Sequence, residues 1–297
     1  MFEAAGVIPA LVTPLDEKGE VEISGLRAVL DHVIEGGVHG VFILGSSGEI
    51  YALNDAQKRL VVETTVEHVA GRVPVYAGAS EITTRDCIAT AKMVSEVGGV
   101  AALSVLTPYF VTPTQRELTK HYTDIATSTE LPVILYTNPG KTQVNLEPET
   151  VRDLAKIENI VGIKDSSGNA ELLDQYLADR PQDFSVLIGR DTMILDGLKK
   201  GTNGAIASTA NIAPALVSGI FDAFQAGDIA RAEALQSKLT PLRNLVDRAT
   251  FPVILKAGLR AAGVDAGVCA APAWELDSEV KEELNVVVTA ALQATKE

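Results

Sequence analysis

The sequence predicts an α/β fold, a closed (β/α)8 (TIM) barrel followed by a C-terminal helical extension. Two observations lead to the barrel: eight short apolar runs are bounded by turn residues, and amphipathic helical stretches lie between them. Strands that are apolar throughout and alternate with helices form parallel sheets covered on both faces. Eight such units favour a closed barrel, with a doubly wound open sheet as the alternative. Helical patterning beyond residue 228 is the third observation, and it predicts the extension.

The predicted strands follow one another through the first 211 residues. They cover residues 8–13, 40–45, 73–79, 101–108, 131–139, 160–167, 184–191 and 204–211.

Capping signals and amphipathic patterns place the helices between these strands. Asn54 precedes a stretch that ends near Gly71, and Thr114 with Glu117 three residues later forms a capping box. Further barrel helices are predicted at 24–36 and 84–98, and the eighth ends near residue 226. In the extension, helices are predicted at 229–239, 242–249, 253–262 and 279–294. We therefore predict two domains, a barrel at 1–227 that carries the active site and a helical domain at 228–297.

Composition and charge exclude several classes of partner. The net charge is −14 and the sequence pI is about 4.8, which disfavours nucleic acid and anionic membranes because both require clustered basic residues. We see no secretory leader, and no apolar run approaches the roughly 20 residues of a membrane span. Cys87 and Cys269 are too few for a disulfide scaffold, so we expect a cytoplasmic protein.

No motif for a cofactor is present in the sequence. The four histidines are scattered without the spacing of a zinc site, and there is no cysteine cluster. A phosphate-binding glycine motif is also absent. We therefore expect neither a metal nor an organic cofactor.

Lys164 is the most informative residue, because it ends an apolar strand and is followed by a small polar turn. Burial disfavours the charged form of a lysine and leaves a neutral amine that can attack a carbonyl. The alternative is a lysine whose ammonium extends from the strand end into solvent.

Other strand ends bring hydroxyl groups to the same edge of the barrel, where barrel enzymes carry their active sites. Gly45 and Gly48 bracket Ser46 and Ser47, so amides and hydroxyls can converge there on a carboxylate. Tyr136 lies one strand away from Lys164, where a phenol can transfer protons. Together these groups suit the binding of a 2-keto acid and the capture of its carbonyl as an imine.

Three motifs resemble one known family, the pyruvate-dependent class I aldolases that include dihydrodipicolinate synthase and N-acetylneuraminate lyase. The motifs are GSSGE at 45–49, LYTNP at 135–139 and GIKDSSG at 162–168. The resemblance implies a barrel that assembles as a homotetramer or homodimer. It also implies Lys164 as the Schiff-base residue, Tyr136 and Ser46 in proton transfer, and further substrate contacts from Ser47, Gly48, Ser166, Gly189 and Ile206.

The chain departs from the family pattern at several positions. Synthases that use aspartate semialdehyde carry a second tyrosine that reaches across a dimer interface, and Phe110 stands there in this chain. Their arginine for the carboxylate of the aldehyde is replaced by Lys141, which keeps the charge without the bidentate geometry. Asp191 matches a residue that binds sugar hydroxyls in the lyase. Arg190 is either a substrate contact or a solvated charge.

We therefore predict a Schiff-base lyase that splits a 2-keto-3-deoxy sugar acid, or a related 2-keto acid, into pyruvate and an aldehyde, or catalyses the reverse. Lys141 and Asp191 are predicted to contact the distal part of that substrate. The alternatives are 4-hydroxy-tetrahydrodipicolinate synthase, N-acetylneuraminate lyase and a 2-keto acid dehydratase. A non-catalytic barrel is the alternative from another class.

Overall fold

The fold is a closed barrel of parallel strands. The computed structural model describes residues 3–178 and 180–295, within which eight strands form one sheet. The strands are β1 (Gly6–Pro9), β2 (Val41–Ile43), β3 (Val75–Gly78), β4 (Ala102–Leu106), β5 (Val133–Thr137), β6 (Ile160–Asp165), β7 (Ser185–Ile188) and β8 (Gly204–Ala207).

Hydrogen-bonded neighbours follow chain order from β2 to β8, and β1 pairs with β8. β1 and β2 meet through a bridge between Ala10 and Phe42, where the amide of Leu11 donates to Phe42 O at 2.8 Å. The sheet is therefore closed, which confirms the predicted barrel.

The helices surround the barrel and continue into the extension. They are α1 (Ile23–Glu35), α2 (Asp55–Val69), α3 (Thr84–Val97), α4 (Gln115–Ala126), α5 (Pro139–Thr142), α6 (Pro148–Leu154), α7 (Ala170–Ala178), α8 (Ile194–Lys200), α9 (Pro214–Gln225), α10 (Ile229–Val246), α11 (Val253–Ala261) and α12 (Ser278–Gln293). The predicted capping box of α4 is confirmed at Thr114 and Glu117, and α2 has one at Asn54 and Gln57. These reciprocal bonds satisfy amides that have no partner inside the helix.

One predicted helix boundary is wrong. Separate helices were predicted at 229–239 and 242–249, but α10 runs from Ile229 to Val246 as one helix that contains Pro241. Proline removes one hydrogen bond from a helix interior. Pro241 and Ser237, whose carbonyl loses its partner, are both on the exposed side, where water can replace the missing donor. Leu239 and Leu242 are fully buried and keep both halves of the helix packed.

Several predicted strands extended too far beyond the barrel. The run at 8–13 pairs with β8 only up to Pro9, and the amide of Val12 then binds the side chain of Asn211 at 3.1 Å. The ends of the seventh and eighth predicted strands are short 3-10 helices, Asp191–Met193 and Thr209–Asn211. These turns bring polar side chains to the C-terminal mouth of the barrel.

Two separate apolar cores stabilise the molecule. The inner core fills the barrel with side chains from alternate strand positions, among them Ile8, Phe42, Tyr76, Ile134, Leu187 and Ile206. The outer core lies between the sheet and the surrounding helices. Lys164 and Tyr136 extend the inner face toward the mouth, because residues two apart on a strand point the same way.

The extension packs against the C-terminal end of the barrel. The side-chain amide of Gln236 on α10 donates to Asp191 O and accepts from the amide of Leu195, both at 3.1 Å. The predicted domain boundary at 227/228 falls between α9 and α10. Within the described part of the chain, no helix has the length and apolar character needed to cross a membrane.

Candidate active site

Lys164 and Tyr136 form the centre of the candidate site. They face each other in register on β6 and β5, and Lys164 Nζ lies 4.1 Å from the centroid of the Tyr136 ring. Both side chains are buried, with 5% and 4% of their surface exposed. The centroid of the Phe42 ring lies 5.4 Å from Lys164 Nζ. An amine and a phenol are thus held side by side at the end of an apolar barrel.

The environment of Tyr136 favours loss of its proton. Burial raises the pKa of this phenol, but the Lys164 charge and hydrogen bonding outweigh burial, so the pKa falls below its ordinary value. One of these hydrogen bonds comes from Asn138 Nδ2, which donates to the phenol oxygen at 3.1 Å. A phenol with a lowered pKa is better suited to exchange a proton with a bound substrate near neutral pH.

The turn that carries Ser46 and Ser47 has a strained backbone. Leu44 and Glu49, on either side of it, have left-handed φ values of 53° and 54°, which are uncommon for residues other than glycine. A Cβ on Gly78 of β3 would lie 1.9 Å from Leu44 O, so only glycine allows this approach. Such strain persists where the surrounding structure fixes the local conformation, often at functional sites.

A fully buried ion pair holds the end of the same turn at Glu49. Lys256 Nζ on α11 lies 2.6 Å from Glu49 Oε1, and the two residues are 1% and 0% exposed. The other oxygen of Glu49 accepts from the amide of Ala270 at 2.8 Å. The helical extension therefore holds the serine turn in place from outside the barrel.

Gly189 makes room for the hydroxyl of Ser166. A Cβ at position 189 would lie 1.9 Å from Ser166 Oγ. That hydroxyl is buried and makes no hydrogen bond of full geometry within residues 3–178 and 180–295, although it lies close enough to Tyr136 to help lower the pKa of the phenol. Since buried hydroxyls are usually paired, Ser166 is placed to bind a substrate atom.

These groups line a cavity of about 330 Å³ at the C-terminal mouth of the barrel. Eight of the ten predicted site residues line it: Ser46, Ser47, Tyr136, Lys141, Lys164, Ser166, Gly189 and Ile206. Gly48 and Asp191 are not among its lining residues. The volume lies at the lower end of the range for small-molecule sites, roughly 300–1,000 Å³.

Gly48 and Asp191 make structural contacts instead. Gly48 O accepts from Thr13 Oγ1 at 2.8 Å, which ties the serine turn to the segment that follows β1. The carboxylate of Asp191 is buried and accepts from the hydroxyl and amide of Thr209 at 2.6 and 2.7 Å and from the hydroxyl of Ser208 at 3.2 Å. Asp191 thus anchors the turn after β8. Its contact with the substrate stays a prediction, because Asp191 does not line the cavity.

The cavity also has a wall that sequence reasoning did not identify. Arg243, Val246, Asp247, Ala249 and Phe251, from the end of α10 and the loop after it, all line the cavity. One signal was available for Arg243: it is a charged residue among the buried leucines of α10. The cavity is therefore built by the barrel and the extension together.

Lys141 lies over the mouth of the barrel. Its ammonium is 4.2 Å from the centroid of the Phe251 ring, and partial burial lowers its pKa. A second cavity of about 320 Å³ adjoins the first, and Ser46, Lys141 and Phe251 line both. The Lys141–Phe251 pair therefore separates an inner space next to Lys164 from an outer one.

Phe110 and Arg190 lie at the edge of the site. Phe110 is 94% exposed, has a φ of 72° and does not line either cavity. Arg190 lines the first cavity and is exposed, with its guanidinium 3.3 Å from Asp247. No group of three potential ligands among His, Cys, Asp and Glu is placed to hold a metal ion in the part of the chain that the structure describes.

Comparison with known proteins gives one consistent match. The model of the dihydrodipicolinate synthetase family matches residues 3–291. A 4-hydroxy-tetrahydrodipicolinate synthase of Methanopyrus kandleri is 38% identical over 285 residues, covering 95% of each chain. The synthase of Bacillus subtilis is 34% identical and covers 95% of this chain and 98% of its own.

Solved structures give the same result. The dihydrodipicolinate synthase DapA-2 of Bacillus anthracis superposes with a TM-score of 0.94 at 30% identity, covering 97% of this chain and 99% of its own. YagE of Escherichia coli K12, a prophage protein of the dihydrodipicolinic acid synthase family solved in complex with pyruvate, gives a TM-score of 0.93 at 28% identity. That match covers 97% of this chain and 98% of YagE.

Proposed function

Since the chain belongs to the dihydrodipicolinate synthetase family, we propose that it cleaves a 2-keto-3-deoxy sugar acid, or a related 2-keto acid, to pyruvate and an aldehyde. The protein is an enzyme, a class I lyase of carbon–carbon bonds that uses a lysine Schiff base. The non-catalytic barrel that the sequence left open is therefore set aside. The proposal assigns the Schiff base to Lys164.

One observation carries this assignment. Lys164 and Tyr136 are buried side by side in a cavity of about 330 Å³, with the amine 4.1 Å from the centroid of the phenol ring. Lys141 is the other lysine that lines the cavity, but it lies against Phe251 near the outer space. A nucleophile next to a proton donor is the arrangement that imine formation requires.

The proposed reaction begins with the keto group of the substrate. The unprotonated amine of Lys164 attacks C2, and the carbonyl oxygen leaves as water after it takes protons delivered by Tyr136. The resulting iminium accepts the electron pair of the C3–C4 bond when that bond breaks. The hydroxyl on C4 gives its proton to the Tyr136 phenolate left by the preceding step and becomes the carbonyl of the released aldehyde, and Tyr136 then holds the proton that C3 of the enamine takes up. Protonation of the remaining enamine and hydrolysis of the imine then release pyruvate.

Ser46 and Ser47 are proposed to hold the carboxylate next to the keto group. Both line the cavity, and Ser47 is buried, so a hydrogen bond from its hydroxyl would not compete with bulk water. The contacts of Glu49 with Lys256 and the amide of Ala270 keep the turn in one conformation despite its strained backbone. A carboxylate bound here would orient C2 toward Lys164, which is the entropic part of catalysis.

A second candidate is 4-hydroxy-tetrahydrodipicolinate synthase, which condenses pyruvate with aspartate semialdehyde. The names of the relatives from M. kandleri and B. subtilis favour it. Two residues disfavour it: Phe110 cannot carry a proton where such synthases have a tyrosine, and Lys141 replaces their arginine. A missing general acid–base group typically costs about 10²–10⁴-fold in rate.

A substrate panel distinguishes these candidates. The purified protein is given 2-keto-3-deoxy sugar acids and N-acetylneuraminate, with pyruvate release as the readout, and pyruvate plus aspartate semialdehyde for the reverse direction. We expect pyruvate release from a keto-deoxy acid at a higher kcat/KM than the condensation. A 2-keto acid dehydratase, another of the alternatives, would consume the same acids without releasing pyruvate. Lys164→Ala should be inactive, while Lys199→Ala, at an exposed site outside the cavity, serves as the control.

A faster reaction with aspartate semialdehyde than with every keto-deoxy acid would contradict the leading proposal and favour the synthase.

We also propose that the chain works as a homotetramer or homodimer. Phe110 and Val111 are both exposed apolar residues in one loop beside the site, and Phe110 has a left-handed backbone. An aromatic side chain with 94% exposure is better explained by contact with another copy than by solvation. Sedimentation should show an assembly that Phe110→Asp weakens, whereas a monomeric wild-type protein would refute this proposal.

A further inference from the structure

Asn138 contacts the phenol of Tyr136, and the proposed reaction gives this contact no role. Its Nδ2 atom donates to the phenol oxygen at 3.1 Å, and both residues line the cavity. Tyr136 is the last but one residue of β5 and Asn138 directly follows the strand. Residues two apart point to the same side, so both side chains face the mouth of the barrel. An amide donor is therefore held on the oxygen that exchanges protons.

A role in capping α5 does not explain the side chain of Asn138. Asparagine is a preferred N-cap residue because its side-chain oxygen can accept from amides of the first helical turn. Across residues 138–142, all of which the structure describes, this side chain makes no capping bond. The amides of Lys141 and Thr142 bind the backbone carbonyl of Asn138 instead, at 2.9 and 3.0 Å. The side-chain amide is thus directed to the cavity and not to the helix.

The direction of the hydrogen bond matters for the chemistry of Tyr136. The nitrogen of a side-chain amide only donates, so the proton of the phenol points away from Asn138. A hydrogen bond to an ionised acceptor is roughly twice as strong as one between neutral groups. The amide therefore stabilises the phenolate that forms when Tyr136 gives its proton to the carbonyl oxygen and that lasts until the C4 hydroxyl returns one.

The ionisation of Tyr136 differs from that of every other tyrosine. Burial raises the pKa of the other five, Tyr51, Tyr76, Tyr109, Tyr122 and Tyr176. Burial also raises the pKa of Tyr136, but the charge of Lys164, and after it the bond from Asn138, hold that pKa below its ordinary value. Lys141 interacts electrostatically with the same phenol. Asn138 is therefore the uncharged group with the largest influence on it.

We propose that Asn138 is a positioning residue for proton transfer by Tyr136: its amide holds the phenol oxygen beside Lys164 and stabilises the phenolate in each turnover. This inference rests on the proposed function and adds a residue to its mechanism without changing its substrates. The contact lies within one chain, so it requires neither a hydroxyl at position 110 nor a second copy of the protein.

Titration of the tyrosines by ultraviolet absorbance tests this role and needs no substrate. In the wild-type protein, Tyr136 should ionise in an early phase that is absent from Tyr136→Phe. Asn138→Leu removes the donor and keeps a side chain of similar size. It should move the early phase up by about one pH unit, because the difference between a charged and a neutral acceptor is worth about 10-fold in the ionisation equilibrium. Lys164 and Lys141 are unchanged in this variant.

A second variant, Asn138→Asp, keeps the shape of the side chain. Its carboxylate cannot stabilise a phenolate and repels it, so the phase should move up further. The matched control is Asn145→Asp, in the segment between α5 and α6. Asn145 Oδ1 already accepts from Thr137 Oγ1 at 3.1 Å, which a carboxylate can do as well, and Asn145 is not a lining residue of the cavity. This control should titrate like the wild-type protein.

Kinetics separate the proposed role from a merely structural one. Asn138→Leu should lower kcat for the 2-keto acid about 10-fold and leave KM nearly unchanged, because the phenolate forms only after the substrate has bound. In a Tyr136→Phe background the same substitution should have no further effect, since no phenolate remains to be stabilised. Asn145→Asp should keep the kcat of the wild-type protein.

The possible outcomes separate this inference from the proposed function. A Tyr136 phase that stays in place or moves down in Asn138→Leu would overturn the inference. Equal losses of kcat from this substitution with and without the phenol of Tyr136 would also overturn it. So would a wild-type protein without an early tyrosine phase, a result that needs no variant of Asn138 to fold. Failure of the wild-type protein to form a reducible adduct with pyruvate would instead overturn the proposed function itself.

Discussion

The ion pair between Glu49 and Lys256 connects the serine turn to the helical extension. The two charged atoms are 2.6 Å apart, and neither side chain is more than 1% exposed. Lys256 also donates to Val268 O, and Glu49 accepts from the amide of Ala270. The buried charge of each partner is therefore balanced only while the other is present and the extension is docked.

Replacing Lys256 by methionine keeps the length of the side chain and removes its charge. The carboxylate of Glu49 would then remain buried without a cation. Breaking a buried pair by removing one partner typically costs about 3–5 kcal/mol of unfolding free energy. At about 2 °C per kcal/mol for a chain of this size, we expect the melting temperature to fall by about 6–10 °C.

Two further variants identify the cause of the loss. The double variant Glu49→Gln/Lys256→Met removes both charges and should recover much of the stability, because no isolated charge stays buried. Lys199→Met breaks a pair of nearly the same length, 2.7 Å to Glu233, in which both partners are well exposed. Exposed pairs contribute about 0–1 kcal/mol, so this control should melt within about 2 °C of the wild-type protein.

Denaturant unfolding measures the change in stability of each variant, and KM for the substrate of the wild-type protein measures the effect on the serine turn. Release of the serine turn should raise KM more than it lowers kcat, because Ser46 and Ser47 are proposed to bind the substrate carboxylate. A loss below about 1 kcal/mol in Lys256→Met, similar to that of Lys199→Met, would contradict this prediction. A double variant less stable than Lys256→Met alone would refute it as well.

Three further predictions concern single side chains. Tyr136→Phe should lower kcat by about 10²–10⁴-fold while the imine with pyruvate still forms slowly, as single-turnover trapping would show; an unchanged kcat would contradict the role in proton transfer. Lys141→Ala should raise KM for the true substrate by about 10-fold and leave trapping with pyruvate intact; loss of trapping would place Lys141 closer to the chemistry. Burial lowers the pKa of His121 from 6.5 to about 4, so the unfolded chain binds a proton first as the pH falls. The resulting stability, about 3 kcal/mol, is present above pH 6.5 and is lost as the pH approaches 4. His121→Gln should reduce the change of the melting temperature between pH 6.5 and 4. The same change in the variant as in the wild-type protein would contradict this prediction.

The sequence predicted the parts of the molecule that depend on local patterns. The alternation of apolar runs and amphipathic helices was sufficient for the barrel, because each strand–helix unit leaves its own signal. Lys164 and Tyr136 were identifiable for the same reason: each lies at or near the end of an apolar strand, and barrel topology brings adjacent strand ends together.

What the sequence could not predict depends on contacts between distant segments. Arg243 is far from Lys164 along the chain, and only the docking of α10 brings both to one cavity. Asp191 was predicted to end the seventh strand, but it begins a 3-10 helix beyond β7, and the direction of its side chain is set by Ser208 and Thr209 in the turn after β8. The break predicted between residues 239 and 242 is absent, because buried packing on both sides of Pro241 keeps α10 continuous.

Mapping of the pyruvate adduct tests the central claim most directly. The protein is reduced with borohydride in the presence of pyruvate, digested and analysed by mass spectrometry, with Lys164→Arg as the control. We expect a single reduced adduct on Lys164 and none in the control. An adduct on Lys141 or another lysine, or no adduct in the wild-type protein, would contradict the claim.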